Sequence, residues 1–289
     1  MLAVWIKELG HFFKTPLGYV YLSVSLFISG LLFTLMNLAA MSTDFASVLQ
    51  LLQILLIFTV PLLTMPLFSQ ERKHGTDHLL LTSGVPLWQV VLGKIEAAVF
   101  LLLLTIVAMI PYLIVIEMHG SVDWLRVVSS LLGYFLLGLL YICIGTFISC
   151  LTDNQMLAAI CAFAALFALW LLQIIAEIVP ADASFGMWMA IFFCGALVWF
   201  FYHQTQDRRV GVASALVLLF AVGLLILFDK DFFGTWLGKT LLWLSVPRRY
   251  SSFLMGVISW GDVAFFVGLS SLFAYFSVWK LEKRRWSED

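Results

Sequence analysis

The sequence predicts an all-α membrane protein, a polytopic helical bundle of about eight transmembrane helices. Composition is the first reason: hydrophobic residues make up 63% of the 289 and charged residues only 11%, against roughly 45–50% and 25% in a soluble domain. The mean hydropathy of +1.04 agrees. The second reason is the run from Leu17 to Ala40, which carries no charge and exceeds the roughly 20 residues that cross about 30 Å of hydrocarbon. The third is a polar island, Ser69 to Lys94, set between two further runs of that length. The net charge of -1 decides nothing, because in such a chain the placement of charge matters and not its sum. Lys and Arg sit at segment ends instead of forming one basic stripe, so nucleic acid is not expected as a partner.

In chain order, Leu2, Trp5, Ile6, Leu9, Phe12 and Phe13 recur at helical spacing with Lys7, Glu8, His11 and Lys14 between them, which predicts an interfacial helix over residues 1–15. The mixture, with no small-residue cleavage site after a basic start, does not read as a cleavable signal. Spans are expected at Gly18 to Leu38 and at Val48 to Phe68, the latter with Pro61 and Pro66 near its end. After the island come Ile95 to Ile116, Val127 to Leu151 and Met156 to Val179, separated by turns at Glu117–Arg126 and Thr152–Gln155. Phe185 to Tyr202 and Val210 to Phe228 read as one hairpin of shorter spans, residues 185–228. Residues 229–262 mix Asp229, Lys230, Asp231, Lys239, Arg248 and Arg249 with one apolar face, and predict an extracytoplasmic, interfacial or re-entrant segment. Val263 to Trp279 is the last span, ending in the basic tail Lys280 to Arg285.

With the N-terminus inside, the cytoplasmic side collects Lys7, Lys14, Arg72, Lys73, Lys94, Arg208, Arg209, Lys280, Lys283, Arg284 and Arg285. The outside keeps Arg126, Lys230, Lys239, Arg248 and Arg249, so the positive-inside rule places both termini and the polar island in the cytoplasm of a multi-pass cell-membrane protein.

Chemistry-bearing motifs are scarce. Glu96 and Glu177 lie about one turn inside span ends, where snorkelling accounts for them. Glu117 and His119 lack the HExxH spacing of a helical zinc site, and there is no GxSxG and no Gly-rich phosphate loop. Cys143, Cys150, Cys161 and Cys194 all lie in apolar runs without CxxC spacing and read as packing residues. No catalytic residue, metal or cofactor is therefore expected in this chain, and any ATP-driven work has to come from another subunit. Gly133, Gly138 and Gly145, with Ser149, recur along the fourth span and would permit close helix packing.

The island itself alternates charge with apolar residues, as an amphipathic helix lying on the membrane or on a partner would. Its pattern S-x-E-R-K-x-G-T-x-x-L-L-L-T-S-x-V, Ser69 to Val85, follows a Pro-containing span and precedes Gly93 and Lys94. Together with KELGHFFKTPLGYVYL, LLGYFLLGLLYICIGTFISCLTDNQMLAA and the closing FLMGVISWGDVAFFVGLSSLFAYFSVWKLEKRRW, it resembles the permease subunit of ABC transporters of the type-2 (exporter) class, gliding-motility GldF-like branch. The resemblance covers roughly Met1 to Ile178 and Tyr250 to Trp286.

That resemblance implies a dimer of permeases, two copies or two related chains, served by a separate ABC ATPase subunit that holds ATP and magnesium. The family includes pairing with an auxiliary membrane subunit bearing a large extracytoplasmic domain. Within the cytoplasmic coupling segment 69–94, Glu71 to Trp88 would contain the coupling helix seated in a groove of the ATPase. Leu79, Leu80, Leu81, Val85 and Trp88 would supply buried contact there; Glu71, Arg72, Lys73 and Asp77 would set register with charge pairs, and Gly75 and Thr76 complete the motif. The hairpin at 185–228 departs from six-span relatives. A membrane-bound lipid-acting enzyme and a non-transporting scaffold are the alternatives.

Overall fold

The computed structural model describes residues 2–73, 75, 85–178 and 240–287. The chain divides into two units, Met1–Ala168 with Arg249–Asp289, and Leu169–Arg248. In the second unit, the described residues comprise the end of one long helix, where Gln173 Nε2 donates to Glu177 Oε1 at 3.2 Å, and a short segment in which Arg248 N–H donates to Ser245 Oγ at 3.4 Å. The expected hairpin at 185–228 and most of the segment 229–262 lie outside the described residues.

The described residues are helical almost throughout, and six helical stretches are long and apolar enough to cross a membrane. α1 is Leu2–Lys14, a helix where one was expected, with Phe12 and Glu8 buried. α2, Pro16–Phe33, starts with proline, where the missing N–H costs nothing, and closes in a π-helical turn over Thr34–Leu38. α3, Phe45–Thr64, is N-capped by Asp44, whose carboxylate accepts from Ala46 N–H, and α4, Pro66–Lys73, follows directly. α5 (Leu87–Ala108) and α6 (Ile110–His119) form one span interrupted at Met109, where Pro111 cannot donate the next ladder bond. α7 is Trp124–Ser149, α8 is Gln155–Ile178, α9 is Val246–Leu254 and α10 is Trp260–Ser287.

Several boundaries differ from the expected ones, most clearly at three helices. The second span runs from Phe45 to Lys73, because α4 carries the helix on beyond the kink at Met65 instead of ending at Phe68. α5 starts at Leu87, not Ile95, so Trp88 and Lys94 are part of the helix that forms the third span. The last helix starts at Trp260 and continues through the basic tail to Ser287, where a boundary at Trp279 was expected. In each case the expected limit falls beside a polar or charged residue, which ends the apolar stretch but not the helix.

α7 is the axis of the bundle, packing against α3, α5 and α10. Its glycines let three different neighbours approach. A Cβ at Gly145 would meet Thr64 of α3, one at Gly138 would meet the Leu102 methyls of α5, and one at Gly133 would lie 2.6 Å from Phe253 Cβ of α9. The close packing expected of these positions is present, spread over three interfaces.

Candidate functional site

The residues expected to couple to a partner flank a stretch, 76–84, that lies outside the described residues, so Thr76, Asp77, Leu79, Leu80 and Leu81 are not placed. Their roots on both sides are described. Pro66 follows the kink at Met65, leaving the first N–H groups of α4 without partners in their own helix. Ser149, at the end of α7, supplies one acceptor for two of them: Phe68 N–H and Ser69 N–H each lie 3.2 Å from its Oγ, which in turn donates to the Met65 carbonyl at 3.1 Å. Ser69 Oγ donates to the same carbonyl. Thus α4 starts from a seat on α7.

The next turn of α4 meets α1 and α5. Lys94 of α5 has no exposed surface, and its ammonium is surrounded by acceptors. Nζ donates to Glu8 Oε1 of α1 at 2.8 Å and to the Leu67 carbonyl of α4 at 2.5 Å, and lies 3.0 Å from Glu71 Oε2. The Phe68 ring covers it, with the centroid 4.9 Å away. Lys7 completes the cluster from the solvent side, 2.6 Å from Glu71 Oε1 and 3.7 Å from Glu8 Oε1. Burial pulls the Lys7 ammonium downward in pKa, but the Glu71 and Glu8 carboxylates outweigh it and hold the group above its ordinary value. Two carboxylates and two ammonium groups balance, which is what allows such charges to leave water. A cavity of about 230 Å³ opens beside them, lined also by His11, Pro66 and Gln70. His11 Nε2 sits 3.1 Å from Gln70 Oε1, and Trp5 packs edge-on against Phe100, so α1 is fixed to both α4 and α5.

Arg72 points the other way, to the turn after α7. Nη1 donates to the Cys150 carbonyl at 2.8 Å, and Nε lies 2.8 Å from the exposed Asp153 carboxylate. α4 ends at Lys73, which is exposed, and Gly75 takes φ +67° while its N–H donates to the Arg72 carbonyl at 3.1 Å. That left-handed step is where glycine is needed. On the far side of the undescribed stretch, Val85 and Trp88 are exposed, while Leu87 is buried against the bundle.

Of the eleven residues expected to form the coupling site, Glu71 and Arg72 thus have side chains engaged within the chain, and Lys73, Gly75, Val85 and Trp88 lie at the surface. Lys94 and Glu8 were not among them. The signal that could have found them is a lone lysine in VVLGKIEAA, which has to find a counter-charge elsewhere once its helix is packed.

The arrangement brings two carboxylates, two ammonium groups and a backbone carbonyl into mutual contact. Among the described residues, no three His, Cys, Asp or Glu side chains are grouped as metal ligands would be. What it offers is a charge-balanced joint between four elements. No family model matches the chain, and neither a curated protein nor a solved structure matches it significantly.

Proposed function

We propose that the chain is the membrane-spanning permease subunit of an ATP-binding-cassette exporter, driven by a separate ATPase through the cytoplasmic segment 69–94. The observation that carries this reading is the joint at Lys94. A segment that passes motion from a partner to membrane helices must be stiffly rooted, or its movement dissipates locally. Here the root on one side, α4, is held by α1, α5 and α7 through Glu71, Arg72 and the Ser149 seat, and the other root, α5, is held to the same α1 through Lys94.

Charge placement supports the orientation. Helix order puts Lys7, Arg72, Lys73, Lys94 and the α10 residues Lys280 to Arg285 toward one end of the bundle, where Phe147 of α7 packs on Phe273 and Phe276 of α10. Arg126 and Arg249 lie toward the other end. The lysine- and arginine-rich end is the cytoplasmic one by the positive-inside rule, which places both termini inside. In this reading residues 185–228 add two spans to the six, and two permease copies or related chains pair around two ATPase subunits. The partner holds ATP and magnesium, since the sequence has no GxxxxGK[ST] loop of its own.

The test is to purify the tagged full-length chain from its native membranes, identify what accompanies it, and measure ATP hydrolysis. We expect an ABC-type ATPase to co-purify, and Asp77→Ala or Trp88→Ala to lower ATPase stimulation or assembly severalfold. No ATPase in the preparation, or wild-type assembly and activity in both variants, overturns the proposal.

A further inference from the structure

At the end of the bundle opposite Lys94, α9 closes in a turn that leaves one carbonyl to be satisfied from outside. Gly256, at φ +82°, supplies the left-handed step. Its N–H donates to the Phe253 carbonyl at 3.1 Å, and Val257 N–H donates to the Ser252 carbonyl at 3.1 Å, the bond pair of a Schellman cap. That cap does not use the Leu254 carbonyl. Arg126, in the first turn of α7, does: its Nε donates to Leu254 O at 2.8 Å. One turn further along α7, Ser130 Oγ, which donates to the Arg126 carbonyl at 2.7 Å, also lies 3.3 Å from the Phe253 carbonyl. Cations are favoured at helix C-termini, so the guanidinium suits the site electrostatically as well as geometrically.

The same guanidinium reaches a third element. Nη2 lies 3.2 Å from Asp44 Oδ2, and Asp44 is the residue whose other oxygen caps α3. The turn also rests directly on Arg126, since a Cβ at Gly256 would lie 3.5 Å from Arg126 Cα. We infer that Arg126 is a positioning residue, which fixes the turn between α9 and α10 onto the α3–α7 pair so that the turn follows any displacement of those two helices. Its consequence for transport rests on the proposed function; the fixing itself does not.

The fork of the guanidinium is what the role requires. Arg126 reaches its two acceptors with two different nitrogens held apart by the planar fork, Nε on Leu254 O and Nη2 on Asp44, whereas a lysine would have to draw both acceptors onto one nitrogen of a shorter side chain, so a pure charge requirement and a positioning requirement give different answers at Arg126→Lys. The experiment is hydrogen–deuterium exchange of the full-length chain in lipid nanodiscs, without nucleotide, read on peptides covering residues 249–260 and 64–73. Arg126→Gln and Arg126→Lys should each speed exchange of 249–260 about tenfold while 64–73 stays at its wild-type rate. Ser130→Ala, a milder change, should speed the same peptide by a smaller factor. Wild-type exchange in Arg126→Gln, full rescue by lysine, or an equal rise in 64–73 overturns the inference. Because no nucleotide is used, that failure leaves the transport reading standing, and absence of an ATPase partner leaves the positioning role standing.

Discussion

Replacing Lys94 by methionine keeps the length of the side chain and deletes its charge. Glu8, 5% exposed, and Glu71 then lose the ammonium between them, and the Leu67 carbonyl loses its donor. Lys7 remains, 2.6 Å from Glu71 but 3.7 Å from Glu8, so a single cation has to serve two carboxylates. Breaking a buried ion pair by removing one partner costs about 3–5 kcal/mol. With Lys7 still in place the lower end applies, about 3 kcal/mol. Adding Glu8→Gln to Lys94→Met removes the orphaned charge and should recover about 2 kcal/mol of that loss, a coupling measurable in a double-mutant cycle. The assay is reversible unfolding of the purified chain in mixed micelles, followed by fluorescence of its 11 tryptophans. A single variant within about 0.5 kcal/mol of wild type, or a double variant whose cost equals the sum of the two singles, would refute the argument that the cluster is held by mutual charge compensation.

The glycines of α7 should rank by what they face. Gly133→Ala drives a methyl into the Cβ and Cγ of Phe253, and Gly145→Ala into the branched Cβ of Thr64, whereas Gly138→Ala meets the movable ends of Leu102; the first two should each cost about 1–3 kcal/mol in the same unfolding assay, and Gly138→Ala clearly less. Ser149→Ala removes the acceptor shared by Phe68 and Ser69 N–H and should cost about 1–2 kcal/mol, with faster amide exchange confined to α4. At Arg72 the bond to the buried Cys150 carbonyl outweighs the pair with Asp153, whose side chain is 70% exposed. Asp153→Asn should therefore change stability by less than about 1 kcal/mol, and Arg72→Ala by more, about 1–2 kcal/mol.

The helical class, the helix α1, and the approximate positions of the six described spans were legible because they depend on local pattern: apolar periodicity at Leu2 to Phe13, and uncharged length from Leu17 to Ala40. The glycines of α7 were legible for the same reason, although which helix each one admits was not. Lys94 reads as the end of a polar loop because a charge beside apolar residues marks a boundary on any hydropathy scale. Its partners lie 86 residues away at Glu8 and 23 away at Glu71, and no window over the sequence relates the three. Arg126 is hidden in the same way: it reads as part of a short aqueous turn, while its acceptor, Leu254 O, belongs to a cap formed by a different helix. Side chains whose meaning is a long-range contact are invisible to periodicity; their only local trace is a charge that composition makes expensive.

These contacts restrict how the bundle can deform. α3 and α7 are joined at one end by Asp44 and Arg126, and at the other by Thr64 on Gly145, with the Ser149 seat of α4 one turn beyond. Two helices fixed at both ends cannot shear past one another without breaking one of these contacts, so they move as one body. α1 and α5 are tied to that body through Glu8, Glu71 and Lys94. α10 packs on α7 as closely as α3 does, and α2 packs on α3; among the described residues α8 meets that body more lightly, through Phe163 on Phe58. A force applied at Gly75 would therefore meet the stiffness of the joined helices together, and the first place it could be relieved is the seam between that body and α8. In the proposed exporter, the path for substrate would open along that seam rather than between α3 and α7.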